Sequence, residues 1–154
     1  MNPETRNSKL LLRSFRPADF ETLCRIDQEC FPAGIAYSPV ELGYYLNRRG
    51  AITLIGERDG AIAGFLVADS RRGQGHIVTI DVLSAARRSG LGSQLITAAE
   101  ERLRAAGCST ISLETAVYNH AALAFYKRHG YSVVGTIPRY YQNGLDALKM
   151  EKPL

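Results

Sequence analysis

The densest chemistry in the chain lies in the hexapeptide Arg87-Arg88-Ser89-Gly90-Leu91-Gly92, between an apolar β-type run (His76 to Leu83) and a strongly helical pattern. A strand, a basic turn with two glycines and a helix start bring unbonded backbone N–H groups and the positive end of a helix dipole beside two arginines. That combination suits a pyrophosphate or another anion. A glycine-rich turn with its arginines in solvent is the plainer reading of the same residues. Farther along, Glu114 closes a second apolar run, an unusual place for a carboxylate unless it faces a cleft; a solvent-facing strand end is the alternative. His76, at the start of the first run, reads as a second base, a substrate contact or an incidental residue.

Several chemistries are excluded by spacing. Leu95 stands where a dinucleotide fingerprint requires a third glycine, and Ser93-Gln94 follows Gly92 where a P-loop requires Lys-Ser or Lys-Thr. No Gly-x-Ser-x-Gly elbow is present for a serine hydrolase. Cys108 begins a strand with no visible activating neighbour, which argues against a cysteine acyl-enzyme.

The elements needed to position these groups follow from hydrophobic period and turn residues. Lys9–Phe15 reads as a first strand after a polar, frayed segment 1–8. Pro17 suits a helix start, with Phe20, Leu23, Ile26 and Cys30 as its apolar stripe. Phe31-Pro32-Ala33-Gly34 breaks that helix, and a second begins at Ser38-Pro39, carrying Leu42, Tyr45 and Leu46. The link from Phe31 to Tyr37 is the expected specificity region, because loops on a rigid scaffold usually carry it. Ala51–Glu57 and Ala61–Ala68 form a hairpin through Arg58-Asp59-Gly60, and Arg71–Gly75 turns into the strand 76–83. The helix after the glycine turn presents Leu91, Leu95, Ala99, Leu103 and Ala106 on one face and stops at Gly107. The strand 109–115 is then reached by a helical crossover and is expected to run parallel to its predecessor. Asn119 caps a helix to His129 that Gly130 ends, with His120 and His129 read as surface residues. Tyr131–Gly135 and Asp146–Met150 make a final antiparallel pair, with Asn143-Gly144 in a turn between them. The expected fold is α/β or α+β, a mixed, mostly antiparallel sheet of about seven strands with helices on both faces, in one domain over residues 1–154.

Composition narrows the partners. The 154 residues are 45% hydrophobic and 22% charged, ordinary for a soluble globular protein. Nineteen basic against fifteen acidic residues leave a net charge of +4, and the arginines come in pairs rather than in one tract. Local anion sites or solvated surface are expected rather than nucleic-acid binding. Three cysteines without metal-type spacing, no secretory leader and no membrane-length apolar run lead to the expectation of a reduced, cytoplasmic chain without metal or membrane contact.

Taken together, Leu113-Glu114, Asn119-x-x-Ala122, Phe125-Tyr126 and Gly130-Tyr131 resemble the second signature of the GNAT superfamily of acyl-CoA-dependent N-acetyltransferases. The Arg87-x-x-Gly90-x-Gly92 turn resembles that superfamily's acetyl-CoA pyrophosphate loop. The likeness runs over residues 9–153. Within the superfamily, these residues, together with Arg139-Tyr140-Tyr141 and Phe31-Pro32, are similar to N-terminal protein acetyltransferases, in particular the bacterial ribosomal-protein alanine N-acetyltransferases. Arg87 departs from that pattern, in which Gln is frequent, and the loop Ala33–Ala36 matches no peptide preference.

The resemblance implies direct acetyl transfer from acetyl-CoA to a primary amine. Backbone groups from Arg87, Arg88, Ser89, Gly90, Leu91, Gly92 and Ser93 would hold the pyrophosphate, and Ile80, Asp81 and Val82 would pair with the pantetheine arm. The N–H of Val82 or Leu83 would meet the oxyanion. Glu114 would be the general base through water, Tyr126 the general acid facing the sulfur, and Asn119 a cofactor contact and helix cap. Phe31, Pro32, Tyr37, His76, Tyr140 and Tyr141 would contact the acceptor. That acceptor would be a peptide or protein N-terminus, a ribosomal protein included, and the enzyme a monomer or homodimer. A small amine such as a polyamine, amino acid or antibiotic is the alternative acceptor, and a non-catalytic acyl-CoA-binding module the alternative role.

Overall fold

A computed structural model describes residues 9–154, so the segment 1–8 expected to fray lies outside the described residues. Seven strands form one sheet: β1 (Leu10–Ser14), β2 (Ala51–Arg58), β3 (Ala61–Arg71), β4 (Gln74–Val82), β5 (Thr110–Ala116), β6 (Ser132–Ile137) and β7 (Ala147–Pro153). Their spatial order is β1-β2-β3-β4-β5-β7-β6. Every neighbouring pair is antiparallel except β4 and β5, which are joined by a helical crossover. The helices are α1 (Phe20–Cys30), α2 (Pro39–Leu46), α3 (Leu91–Ala105) and α4 (His120–Arg128).

Two cores sandwich the sheet. On one face Leu23, Ile26, Leu42 and Leu46 of α1 and α2 bury against Ile55, Phe65 and Val67. On the other Leu91, Leu95, Ile96, Ala99 and Leu103 of α3, with Tyr126 of α4, bury against Leu54, Leu66, Ile77 and Leu113. Each fully buried aliphatic side chain contributes roughly 1.5–3 kcal/mol of transfer free energy. Among the described residues no helix is long and apolar enough to cross a membrane.

Local chemistry explains the boundaries. Ser38 Oγ accepts from the Glu41 N–H, Glu41 Oε1 accepts from the Ser38 N–H, each at 3.1 Å, and Pro39 takes the first helical position. The turn between β2 and β3 is Asp59-Gly60, both at positive φ. The next hairpin is tighter than the sequence reading: β3 runs on to Arg71, and only Arg72-Gly73 turn. The stripe of α3 also ends earlier than expected, because Ala106 is exposed. Gly107, at φ 90°, turns the chain back so that the Cys108 N–H reaches the Leu103 carbonyl and the Gly107 N–H that of Arg104, each at 3.0 Å. Cys108 thereby fills the buried place that the helical period assigned to Ala106.

Candidate active site

The parallel pair β4–β5 is hydrogen-bonded only over Gln74↔Thr110, Gly75↔Ile111 and His76↔Ser112. Beyond that point the strands separate, and Ile77 to Ile80 and Val82 of β4 and Leu113 to Ala116 of β5 line a cleft of about 740 Å³. A register shift between Val67 and Ala68 leaves Val78 unopposed on β4. This bulge lets Ile77 and Ile80 face α3 together, while Asp81 is turned to the α1 side. The Leu83 N–H bonds the Ala63 carbonyl at 2.9 Å. Strand alternation therefore turns the Val82 N–H away from β3 and toward the opening, so of the two expected oxyanion donors only Val82 has its N–H available.

The basic turn forms one end of the cleft, lined by Arg87, Arg88, Gly90, Gly92 and Ser93. Gly90 is the N-cap of α3 at φ 89° and has no side chain to cap it; Ser89 Oγ accepts from the Leu91 N–H at 3.4 Å, and the next first-turn N–H groups are left for an external acceptor. A side chain at Gly92 would come within 3.3 Å of the Phe125 ring, so this glycine lets α4 close on the start of α3. Arg88 holds φ 62° in the same turn. Arg87 Nε donates to the Val82 carbonyl at 3.2 Å, tying the loop to β4. Ser89 donates its hydroxyl to the Ala86 carbonyl and Leu91 is wholly buried, so their side chains shape the turn rather than line the cleft.

Glu114 enters the cleft from β5, and His76 Nε2 lies 2.6 Å from its Oε2. The register makes this contact: His76 pairs with Ser112, and Glu114 follows two residues later on the same face. Tyr126 lines the cleft from α4 at 7% exposure. Burial above all, then the charge of Asp81, raises its pKa far above the ordinary tyrosine value, keeping the hydroxyl protonated. Asn119 Oδ1 accepts from the Ala122 N–H at 3.2 Å as the cap of α4 and also lines the cleft. Phe31, Pro32, Tyr37, Tyr140 and Tyr141 close the remaining wall. The Tyr140 hydroxyl is pushed up to about 12, by burial first and then by Glu114.

Four features were not read from the sequence. Asp27 of α1 and Asp81 of β4 form a buried carboxyl pair, 0% exposed each. Asp27 Oδ2 accepts from the Tyr37 N–H at 2.7 Å, and Asp81 Oδ1 accepts from the Thr79 hydroxyl. Asp27 Oδ1 and Asp81 Oδ2 meet no N–H or other O–H donor, and one proton shared between the carboxyls satisfies both. Burial first, and in Asp81 the neighbouring Asp27, lift both above the ordinary carboxylate range. Thus Asp81 supports β4 from behind rather than lining the cleft. Cys30 lies in the cleft wall with Sγ 3.5 Å from the Val82 carbonyl; burial above all pushes its thiol up to about 11, which leaves it a poor nucleophile. Arg128 adds a cation to the lining. His129 is not a free surface residue: its Nε2 is 3.0 Å from Ser93 Oγ and its ring centroid 4.6 Å from that of Phe125. Glycine spacing and the Asn119 cap were visible signals, whereas these contacts join residues far apart in the chain.

One side of the arrangement can hold an anion and pair an extended chain with the open edge of β4, while the other presents a carboxylate to an incoming group. Comparison with known proteins identifies the family. Residues 20–131 match the acetyltransferase (GNAT) family model. An uncharacterized N-acetyltransferase of Methanocaldococcus jannaschii is 31% identical, covering 93% of this chain and 91% of its own. An N-alpha-acetyltransferase of Sulfurisphaera tokodaii is 27% identical, covering 93% and 92%. Among solved structures, Ard1 from Thermoplasma volcanium superposes with a TM-score of 0.87 at 25% identity, over 94% of this chain and 97% of that one. A chain of a NatC complex bound to a Gag peptide and CoA superposes with a TM-score of 0.82 at 26% identity, over 95% and 99%. The chain belongs to the GNAT acetyltransferase family and is an acetyl-CoA-dependent N-acetyltransferase.

Proposed function

We propose that this enzyme, one domain spanning the chain, moves the acetyl group of acetyl-CoA to the N-terminal α-amine of a protein or peptide. The observation that carries the reading is the acceptor mouth. Glu114, bonded to His76, faces the same cleft as the basic turn and is bordered by Tyr37, Tyr140 and Tyr141. An open wall of tyrosines suits a peptide, whose backbone amides need donors and acceptors on an apolar bed. The names of the archaeal relative and of the NatC complex bound to a Gag peptide support the same substrate class.

In this reading the N–H groups of Arg88, Ser89, Gly90, Gly92 and Ser93, at the start of α3, hold the pyrophosphate, with Asn119 as a further contact. The open edge of β4 at Ile80 to Val82 pairs with the pantetheine arm. Acetyl-CoA supplies an activated thioester. An α-ammonium group titrates near 7.7–8.0, so Glu114 has only a modest task in drawing off its proton through a water molecule. His76 orients the carboxylate by holding one oxygen and leaving the other to the acceptor. The neutral amine attacks the thioester carbonyl, and the Val82 N–H donates to the oxyanion that develops there. Tyr126, kept protonated by burial, donates to the departing sulfur.

The test is free-thiol release from acetyl-CoA with the purified chain, against peptides differing in their first two residues and against common small amines. Release with one class of N-terminus supports the reading. Release confined to small amines overturns it.

A further inference from the structure

A second concavity, of about 690 Å³, lies between the end of α2 and the β3–β4 hairpin. Arg48, Arg49, Arg71 and Arg72 line it together with Tyr44 and Asp69. Arg48 is engaged, its Nη1 being 3.3 Å from Asp69 Oδ2 and its guanidinium carbon 5.9 Å from the Tyr44 ring centroid. Arg49, Arg71 and Arg72 are exposed, and among the described residues no carboxylate pairs with them. Arg72 also sits against local preference. It opens a two-residue turn at φ 53°, followed by Gly73 at φ 76°, a geometry that favours Asn or Asp before glycine. The other hairpin of the chain has Asp59 at φ 52° in that place. An arginine held in a left-handed conformation recurs at Arg88, in the anion-binding turn.

This groove lies beside the acceptor mouth. Asp69 stands directly opposite His76 in the β3–β4 ladder, and His76 bonds Glu114. Tyr45 links the two walls, with its ring centroid 5.2 Å from Tyr37 in the cleft and 5.3 Å from Tyr44 in the groove.

We propose that this groove receives an acidic stretch of the acceptor peptide, downstream of the amine placed at Glu114, so that the enzyme prefers substrates with Asp or Glu there. The inference rests on the N-terminal acetylation reading. A cross-strand step of about 5 Å and three residues along β3 and into its turn, from Asp69 to Arg72, span roughly 15 Å; at about 3.3 Å per extended residue this places the acidic positions at roughly four to seven. Three unpaired arginines around a neutralised pair neutralise too few phosphates to hold a nucleic acid firmly, and the track leads from the amine site.

The experiment measures kcat and KM for three nonapeptides that share the best N-terminal residues and carry Glu, Gln or Lys at positions four to seven. The Glu peptide is expected to have a KM roughly five- to tenfold below the Gln peptide at low salt, with the gap narrowing as salt rises. In the double variant Arg49→Gln, Arg72→Asn the preference is expected to fall below about twofold; both positions are exposed, and Asn tolerates the left-handed turn. Equal KM values in the unsubstituted enzyme, or a preference that survives in the variant, overturn the proposal. A single-stranded RNA that competes with acceptor through these arginines, while peptide charge makes no difference, would assign the groove to nucleic acid instead. If no peptide releases thiol and small amines do, the acetylation reading fails and takes this inference with it. That outcome is distinct from peptides that react without regard to charge.

Discussion

The two halves of the cleft are built from different materials. The half that faces α3 is made of backbone: the open edge of β4, the left-handed Gly90, the first turn of α3 and the close approach allowed by Gly92. The half that faces α1 and α2 is made of side chains: Glu114 and His76 from two strands, Tyr37 from the loop after α1, and Tyr140 and Tyr141 from the loop between β6 and β7. A common group such as a pyrophosphate is met by N–H groups that any sequence can offer, provided glycines permit the shape. In the proposed reading the acceptor is met by side chains instead, three of them tyrosines carried on loops. In the proposed reading, cofactor recognition and acceptor choice are thus physically separable.

That separation can be broken or sharpened by mutation. The largest effect is expected for Glu114→Gln, which removes the proposed base but keeps the shape: kcat/KM should fall by about 10²–10³ at neutral pH, while calorimetric affinity for acetyl-CoA holds. A comparable loss of acetyl-CoA binding would mean that the halves are not separate. Next, Tyr126→Phe should lower kcat by roughly ten- to a hundredfold with little change in acetyl-CoA affinity, since the ring that fills the core remains. Full turnover by this variant would end the acid assignment.

Gly90→Ala probes the backbone half from the other direction. Forcing φ 89° on a residue with a Cβ costs about 1 kcal/mol. The KM for acetyl-CoA should rise about five- to tenfold while relative rates among acceptor peptides stay in the same order. A reordering of acceptor preference would show coupling across β4.

The smallest effect is on stability. The raised values of Asp27 and Asp81 mean that the folded chain keeps a proton that the unfolded chain releases. Their contribution is full below the unfolded value near 3.8 and is lost as pH rises through the folded value. Asp81→Asn has no proton to lose at that position. Its melting temperature should exceed that of the unsubstituted protein by about 2–4 °C at pH 8, with the gap closing toward pH 4. A gap independent of pH would rule out the shared proton.

Much of the backbone half was legible in the chain. Gly90, Gly92 and Gly107 mark the start and stop of α3, Ser38 and Asn119 mark helix caps, and Asp59-Gly60 marks a hairpin, because each follows from local conformational preference. Ala106 misled because period alone continues a stripe past the glycine that ends the helix. His129 misled because Ser93, 36 residues earlier, supplies its partner. The Asp27–Asp81 pair was hidden for a related reason. Asp27 sits among α1 residues of ordinary amphipathic pattern, and nothing local says that β4 will lay a second carboxyl against it. Leu83 was paired with Val82 as a donor because only the β3 ladder reveals which N–H is already bonded.

By itself the sequence determined the order of strands and helices, the glycine-bearing basic turn, and a combination of Glu114, Asn119 and Tyr126 that resembles one family of acetyltransferases. Hydrophobic period, capping and turn preference act over a few residues, so they can be read without a fold. Only the tertiary structure decided that β4 and β5 part after three paired residues, that His76 meets Glu114 and that the Val82 N–H points into the gap. It alone set a basic groove beside the acceptor mouth. Those contacts arise from register and from the packing of distant segments, and a one-dimensional pattern carries neither.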